Sequence, residues 1–228
     1  MVTIRIFDTP VKIKITILFV IVLLWGGVTW LELYWHPGRS LWQGLLIGLA
    51  TAILLLLADF GHAIAHIFSA RFAGAPMDEI LISPEAGPRT LYWNNEVSPN
   101  VHRMRALGGP IYNVLGLFLS MVIYAVVPGN SIAWELAAWS AAGHGLMLIL
   151  FMSPVSIVDG GTILKWTLVS RGKTVTEADE IVRRVDWVLG IALGIIGVGL
   201  LAMQLWIAGV VLVGLGLIVV GIAAGKIR

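Results

Sequence analysis

The sequence contains no cysteine, and only 12% of its 228 residues are charged. The first absence excludes disulfide bonds, thiolate metal ligands and cysteine nucleophiles. The second leaves too few polar groups to cover a soluble domain, since globular proteins carry about 25% charged residues. Basic residues are not clustered among aromatic ones, so no nucleic-acid partner is expected. Apolar residues are abundant instead: they make up 58% of the chain, with a mean hydropathy of +0.93, which is typical of a polytopic membrane protein.

Long apolar runs predict six membrane-spanning helices, because roughly 20 helical residues cross the hydrocarbon core. The last run is long enough for two helices, divided near Gln204. We therefore expect an all-α polytopic membrane protein that forms a single membrane domain over residues 1–228. The predicted spans fall in residues 13–35, 41–72, 104–127, 132–170 and, as a pair of C-terminal helices, 187–225.

Two polar stretches separate these runs. Residues 77–100 hold two short β-prone segments around Gly87-Pro88, which predicts a small β-hairpin at the membrane surface. Residues 171–186 are rich in charge and predict a solvated cytoplasmic helix capped by Thr174 or Thr176.

The fourth apolar run contains residues that disfavour a continuous helix. Proline at Pro154 removes a backbone donor, and the pair Gly160-Gly161 weakens the helix further. A bent or partly unwound stretch is expected there at membrane depth, where irregular backbone is tolerated only against protein or water.

The distribution of basic residues predicts the orientation of the chain. With the N-terminus in the cytoplasm, Arg39 alone among the 15 Lys and Arg residues falls on the outer side. Cytoplasmic segments of membrane proteins carry an excess of basic residues. Both termini are therefore expected in the cytoplasm, with membrane lipid around the helices.

The apolar run of residues 54–66 carries three ionisable side chains, Asp59, His62 and His66. On a helix they stand at i, i+3 and i+7, within an arc of about 60°. Ionisable groups are costly in a bilayer, so such a stripe is a candidate functional site. One alternative is that Asp59 and His62 form a structural hydrogen bond across a helical turn. His66, nearer the interface, has a similar structural alternative.

Depth connects this stripe with Asp159. Counting along the helices at 1.5 Å per residue places His62 and Asp59 roughly 14 to 18 Å from the cytoplasmic end, and Asp159 about 9 Å from it. Imidazole nitrogens and a carboxylate oxygen are ligands that zinc accepts in tetrahedral geometry. The same counting places His144 in the outer half of its helix, too far away to join this site. His36 and His102 are expected to be solvated at interfaces.

Four motifs follow one another along the chain: Asp8-Thr-Pro-Val-Lys-Ile13, Ala58-Asp-Phe-Gly-His62 followed by Arg71-Phe-Ala-Gly74, Gly109-Pro-Ile-Tyr-Asn113, and Ser153-Pro-Val-Ser-Ile-Val-Asp-Gly-Gly161. In this order they resemble the site-2 protease family of intramembrane zinc metalloproteases, over the chain up to about residue 170. The first motif resembles the short lead-in strand before the family's first core helix. The resemblance implies a site-2-protease-like core in residues 1–170, lined by Gly109, Pro110, Asn113, Gly160 and Gly161. We expect the protein in a prokaryotic plasma membrane.

The chain departs from the family at the catalytic helix. The family's HExxH motif supplies two zinc-binding histidines and a glutamate that activates water. Here Ala58 stands in place of the first histidine and Asp59 in place of the glutamate. Only His62, as the second histidine, and Asp159, as the third ligand, carry over.

Two hypotheses follow from these substitutions, and they leave open whether the protein is an enzyme. In the first, the site has lost both zinc and proteolysis, and the protein is a non-proteolytic pseudoprotease that acts as a membrane binding partner or complex subunit. In the second, the site has moved one helical turn, so that His62, His66 and Asp159 hold zinc in an active metallopeptidase, with Asp59 as a further ligand or a shortened general base. Aspartate is one methylene shorter than glutamate, which places it poorly for activating water.

Overall fold

The computed structural model describes residues 1–84 and 87–227, which contain seven helices and four strands. All the helices except α5 are long and apolar enough to span a membrane. The predicted fold, an all-α membrane protein with six spans and a small surface β-hairpin, is confirmed. The elements are β1 (Val2–Ile6), β2 (Thr9–Ile13), α1 (Ile17–Trp35), α2 (Leu41–Phe72), β3 (Glu79–Ser83), β4 (Gly87–Leu91), α3 (Pro99–Val126), α4 (Ile132–Met152), α5 (Asp159–Ser170), α6 (Val175–Ala202) and α7 (Trp206–Ala223).

The predicted surface hairpin is present as β3 and β4, which pair antiparallel. Gly87 and Pro88 begin β4 opposite Ser83 and Ile82, so the expectation that they form the turn is wrong. Residues 85–86, between the two strands in the sequence, lie outside the described residues.

A second hairpin, β1–β2, enlarges the sheet to four strands in the order β1-β2-β3-β4. Its two turn residues, Phe7 and Asp8, both have positive φ, as the tightest hairpin turns require. Strand β2 pairs in parallel with β3, with Val11 opposite Ile80. Since β2 precedes α1 and β3 follows α2, these two spans must leave the membrane face that bears the sheet and return to it.

Two compact units divide the chain. The first comprises residues 1–97 and 107–149, and the second comprises residues 98–106 and the chain from Leu150 onward. In the first unit, the sheet packs on the last turns of α2, where Ile67 and Ala70 are completely buried. This contact anchors the sheet beside the helix that carries the histidine stripe.

An ion cluster joins α1, the turn after it and α4 in the first unit. The Arg39 guanidinium donates to both carboxylate oxygens of Glu135, at 3.1 and 2.8 Å, and also pairs with Glu32. Glu32 is only 1% exposed, and its Oε1 lies 3.2 Å from His36 Nδ1. His36 is therefore part of the cluster, not simply solvated. Because an arginine already contacts both carboxylates, we interpret the group as an ion-pair cluster, although its ligand atoms lie within 4.8 Å of one another.

In the second unit, the helical path is interrupted at residues 153–158, between α4 and α5. A Cβ at Gly160 would overlap the Ser153 carbonyl oxygen, and one at Gly161 would overlap that of Val155, so the two glycines let α5 start against this segment. Asp186 of α6 accepts a hydrogen bond from the Ser156 amide, at 3.0 Å. The interruption is thus fixed by contacts to its backbone.

The polar segment 171–186 forms the start of α6. Thr174 is the N-cap, and a reciprocal hydrogen-bond pair with Glu177 completes a capping box. Asp186, at the end of the segment, is 1% exposed and therefore not solvated. His102 is also buried, because its ring stacks on Trp166 at 3.7 Å, so the expectation of a solvated imidazole is wrong there too.

Candidate metal site

Helix α2 brings His62 and His66 together inside the first unit. They stand one turn apart, each is 4% exposed, and their Nε2 atoms are 3.3 Å apart. Two nitrogens bound to one tetrahedral zinc ion, each at 2.0–2.1 Å, are separated by about 3.3 Å. The spacing suits a hydrogen bond between the rings, and it equally suits one edge of a zinc tetrahedron. The imidazole pair therefore fits zinc.

The His62 ring lies in a groove that a glycine of α3 keeps open. A Cβ at Gly109 would overlap the Nε2, Cε1 and Cδ2 atoms of His62. Pro110, the next residue, is also buried within α3. Any larger side chain at Gly109 would displace the imidazole, so this glycine determines where the ring lies.

Two further contacts hold α3 close to α2 around this groove. A Cβ at Gly108 would lie only 2.6 Å from the Ala65 carbonyl oxygen, so the helix backbones approach closely. The Tyr112 hydroxyl donates a hydrogen bond to the Leu57 carbonyl, at 3.0 Å, passing beside Gly61. These small residues and this bond fix the register of the two helices.

Asn113 connects His62 to a histidine that the sequence interpretation placed outside the site. Its side chain is fully buried; the Nδ2 atom lies 2.8 Å from His62 Nδ1, and the Oδ1 atom lies 2.9 Å from His144 Nδ1. His144 is 6% exposed, and Gly116 lies against its ring. The expectation that His144 is remote is wrong, because depth counted along one helix ignores a lateral bridge from its neighbour.

The small residues around His144 were the available signal for this bridge. Gly143 and Gly145 flank it in α4, and Gly116 follows Asn113 by almost one turn of α3. A buried histidine surrounded by glycines on facing helices indicates a close helix crossing, where polar side chains bond between helices. The depth of a residue counted along one helix cannot reveal such a crossing, but the spacing of glycines on the facing helices can.

Ala58 and Asp59, which replace the first two residues of HExxH, have different surroundings. Ala58 is completely buried, and its Cβ would lie 3.7 Å from a Cβ built on Gly143 of α4. Asp59 is half-buried, one turn before His62. Directly after His62 stands Ala63, which is 4% exposed. The His62–His66 pair thus has alanine at the position that a glutamate occupies in HExxH.

Replacing Ala58 with histidine should destabilise the protein and should not tighten zinc binding. Ala58 is completely buried and lies beside α4, so a larger side chain would overpack this position. Overpacking a buried position costs about 1–3 kcal/mol of stability. Thermal unfolding in detergent and a zinc titration measure the two effects. Ala58→Leu is the control for size and should cost a similar amount. A histidine variant of wild-type stability with tighter zinc binding would show that this position still accepts a ligand.

The other predicted site residues lie where the helices begin and cross. Asp159 is half-buried and is the first residue of α5, in the second unit. A carboxylate in the first turn of a helix interacts favourably with the helix dipole. Gly160 and Gly161 follow it and are buried against the 153–158 segment of the same unit.

The chain resembles a solved membrane protease in its fold. It matches the site-2 protease from Methanocaldococcus jannaschii with a TM-score of 0.60, covering 100% of this chain and 95% of that one at 18% sequence identity. No protein-family model and no curated protein sequence matches it. At 18% identity the match shows similarity of fold alone. The chain is therefore an integral membrane protein with a site-2-protease-like fold.

Proposed function

We propose that this site-2-protease-like membrane protein is a zinc-binding pseudoprotease, which acts without proteolysis as a binding partner or subunit of a membrane complex. The observation that carries the proposal is the buried imidazole pair of His62 and His66, spaced for zinc, with Ala63 at the position of the catalytic glutamate. The pair supports metal binding, and the alanine supports the loss of proteolysis.

The ligand set that we propose is His62, His66 and Asp159. The two imidazoles have the required spacing, and the resemblance of Asp159-Gly-Gly161 to the family motif supplies the carboxylate. Zinc, when bound, supplies a Lewis acid that polarises an oxygen. His62, His66 and Asp159 would hold the ion, and Gly109 leaves the space for the His62 ring.

The absence of a carboxylate directly after His62 supports the proposed loss of proteolysis. A general base must come within hydrogen-bond distance of the water that it activates. In HExxH that base directly follows the first histidine, and Ala63 occupies the corresponding place here. Asp59, one turn earlier on the same face, favours the second candidate: an intramembrane zinc metallopeptidase that uses this carboxylate as its base.

We further propose a setting for this function. The bias of basic residues supports an orientation with both termini in the cytoplasm. The membrane that we propose is a plasma membrane of prokaryotic type. A transmembrane helix of another protein is the partner that suits a chain with so little polar surface.

The proposal is tested with purified protein in lipid nanodiscs, by measuring zinc per chain and cleavage of a helical membrane substrate. We expect about one zinc ion per chain, as a tetrahedral site holds, and no cleavage. An intact substrate helix that nevertheless co-purifies would support the partner role. Cleavage by the zinc-loaded protein that disappears in Asp59→Asn would establish the metallopeptidase instead. Absence of zinc from protein refolded or purified with excess metal would overturn the metal site.

A further inference from the structure

The bridge from His62 through Asn113 to His144 has a property that follows from the chemistry of the amide. Asn113 offers an oxygen, which only accepts, and a nitrogen, which only donates. Each end is within hydrogen-bond distance of the Nδ1 atom of one histidine, at 2.8 Å for His62 and 2.9 Å for His144. One histidine must therefore accept at Nδ1 while the other donates. Neutral rings bonded in this way have opposite tautomers.

In the orientation found in the structure, the amide nitrogen donates to His62 Nδ1. The proton of a neutral His62 ring is then on Nε2, which donates towards His66 Nε2 across the 3.3 Å contact. A protonated Nε2 has no lone pair to offer a metal ion. In this orientation of the amide, His62 and His66 are therefore joined by a hydrogen bond and His62 cannot bind a metal ion through Nε2.

Rotating the Asn113 amide by 180° about its Cβ–Cγ bond puts the oxygen where the nitrogen was and the nitrogen where the oxygen was. The oxygen then accepts from His62 Nδ1–H, which leaves the Nε2 lone pair free for a metal ion. Metal-binding histidines commonly donate their second nitrogen to such an outer acceptor, which fixes the tautomer. The amide nitrogen now donates to His144 Nδ1, so His144 must carry its proton on Nε2.

We propose that Asn113 and His144 form a tautomer relay, in which the orientation of one buried amide selects between the hydrogen-bonded and the metal-binding form of His62. The inference rests on the proposed zinc site. His144 is a positioning residue in this scheme, since it acts through Asn113. The Asn113 side chain is fully buried, and Gly116 seats the His144 ring beside it, so the amide stays between the two rings in either orientation.

Nitrogen-15 NMR of histidine-labelled protein in nanodiscs tests the relay directly, because ring shifts distinguish the two tautomers. Without metal, we expect His62 to be protonated on Nε2 and His144 on Nδ1. Loading with zinc should move the His144 proton to Nε2 although His144 is not a ligand. A His144 tautomer that stays constant while the His62 signals change on zinc loading would overturn the relay.

Asn113→Asp distinguishes the relay from a merely structural hydrogen bond. A carboxylate only accepts, so both histidines should become Nδ1–H tautomers even without metal, and zinc binding should tighten by about 10-fold or more. Asn113→Leu should uncouple the rings and weaken zinc binding by about 10–100-fold. Opposed tautomers that persist in either variant would contradict the proposal.

Ser120→Ala is the matched control. Ser120 of α3 bonds Ser140 of α4 at 2.8 Å, so the variant removes another polar contact between the two helices without touching the relay. It should leave both tautomers and zinc affinity unchanged. The Asn113→Asp result in metal-free protein also separates the two proposals: if the two rings change from opposite tautomers to the same tautomer, Asn113 couples them even if no zinc binds.

Discussion

Replacing His66 with alanine should abolish stoichiometric zinc binding, with a loss of affinity greater than about 100-fold. Outer partners of metal ligands alone contribute about 10–100-fold, and His66 provides one of the two nitrogens that define the 3.3 Å edge. Isothermal titration of the nanodisc-embedded protein measures the affinity. Zinc at about 100 times its dissociation constant should also stabilise the wild type by about 2.7 kcal/mol, and should leave the variant unaffected.

His102→Ala is the matched control for this experiment. His102 is 7% exposed, so it too is a buried histidine, but it stacks on Trp166 in the other unit. Its removal should leave the zinc stoichiometry unchanged. Zinc retained by His66→Ala, or lost from both variants alike, would show that the His62–His66 pair is not the metal site.

Replacing Arg39 with alanine should destabilise the folded protein by about 3–5 kcal/mol, the usual cost of leaving a buried charge without its partner. The Glu32 carboxylate is only 1% exposed and pairs with this guanidinium, which also donates twice to Glu135. The stability of Arg39→Lys should fall between those of the wild type and Arg39→Ala, because an ammonium keeps the charge but lacks the planar, five-donor geometry of the guanidinium. Unfolding in mixed micelles measures all three free energies.

The exposed pair of Lys173 and Glu177 provides the control for a simple loss of charge. Its atoms are 3.9 Å apart and the side chains are about half exposed, so Lys173→Ala should change stability by less than about 0.5 kcal/mol. Adding Glu32→Gln to Arg39→Ala should recover much of the stability, since the unpaired charge is then gone. An Arg39→Ala protein within about 1 kcal/mol of the wild type would contradict the assignment of a buried ion cluster.

Local signals in the sequence were enough to predict most helices. Apolar length located the spans, Pro154 with Gly160-Gly161 indicated the interruption before α5, and Thr174 with Glu177 formed the expected cap. The family resemblance implied a strand over Asp8–Ile13, where β2 lies, but its partner β1 was missed because the basic residues there were interpreted only as signals of orientation. Both strands are also five residues long, and pairing between β2 and β3 depends on contacts far apart in sequence.

The candidate site was predictable along one helix and not between helices. Helical spacing alone places His62 and His66 on one face of α2. No single-helix argument places His144 beside Asn113, because that contact depends on how closely α3 and α4 pack at Gly116. A different contact, between α4 and α2 at Gly143, accompanies the complete burial of Ala58, so the sequence revealed the missing ligand but not the close packing around its position.

The parallel pairing of β2 with β3 also sets an order of events during synthesis. Val11 emerges from the ribosome long before its partner Ile80, and α1 and α2 lie between them. The hydrogen bonds of this pair can form only after both spans have been inserted and the chain has come back to its starting side. The sheet can thus form completely only after both spans are inserted in the right direction. A chain that inserts α2 in the wrong direction is left with two unpaired strand edges, which are prone to pair with other chains and aggregate.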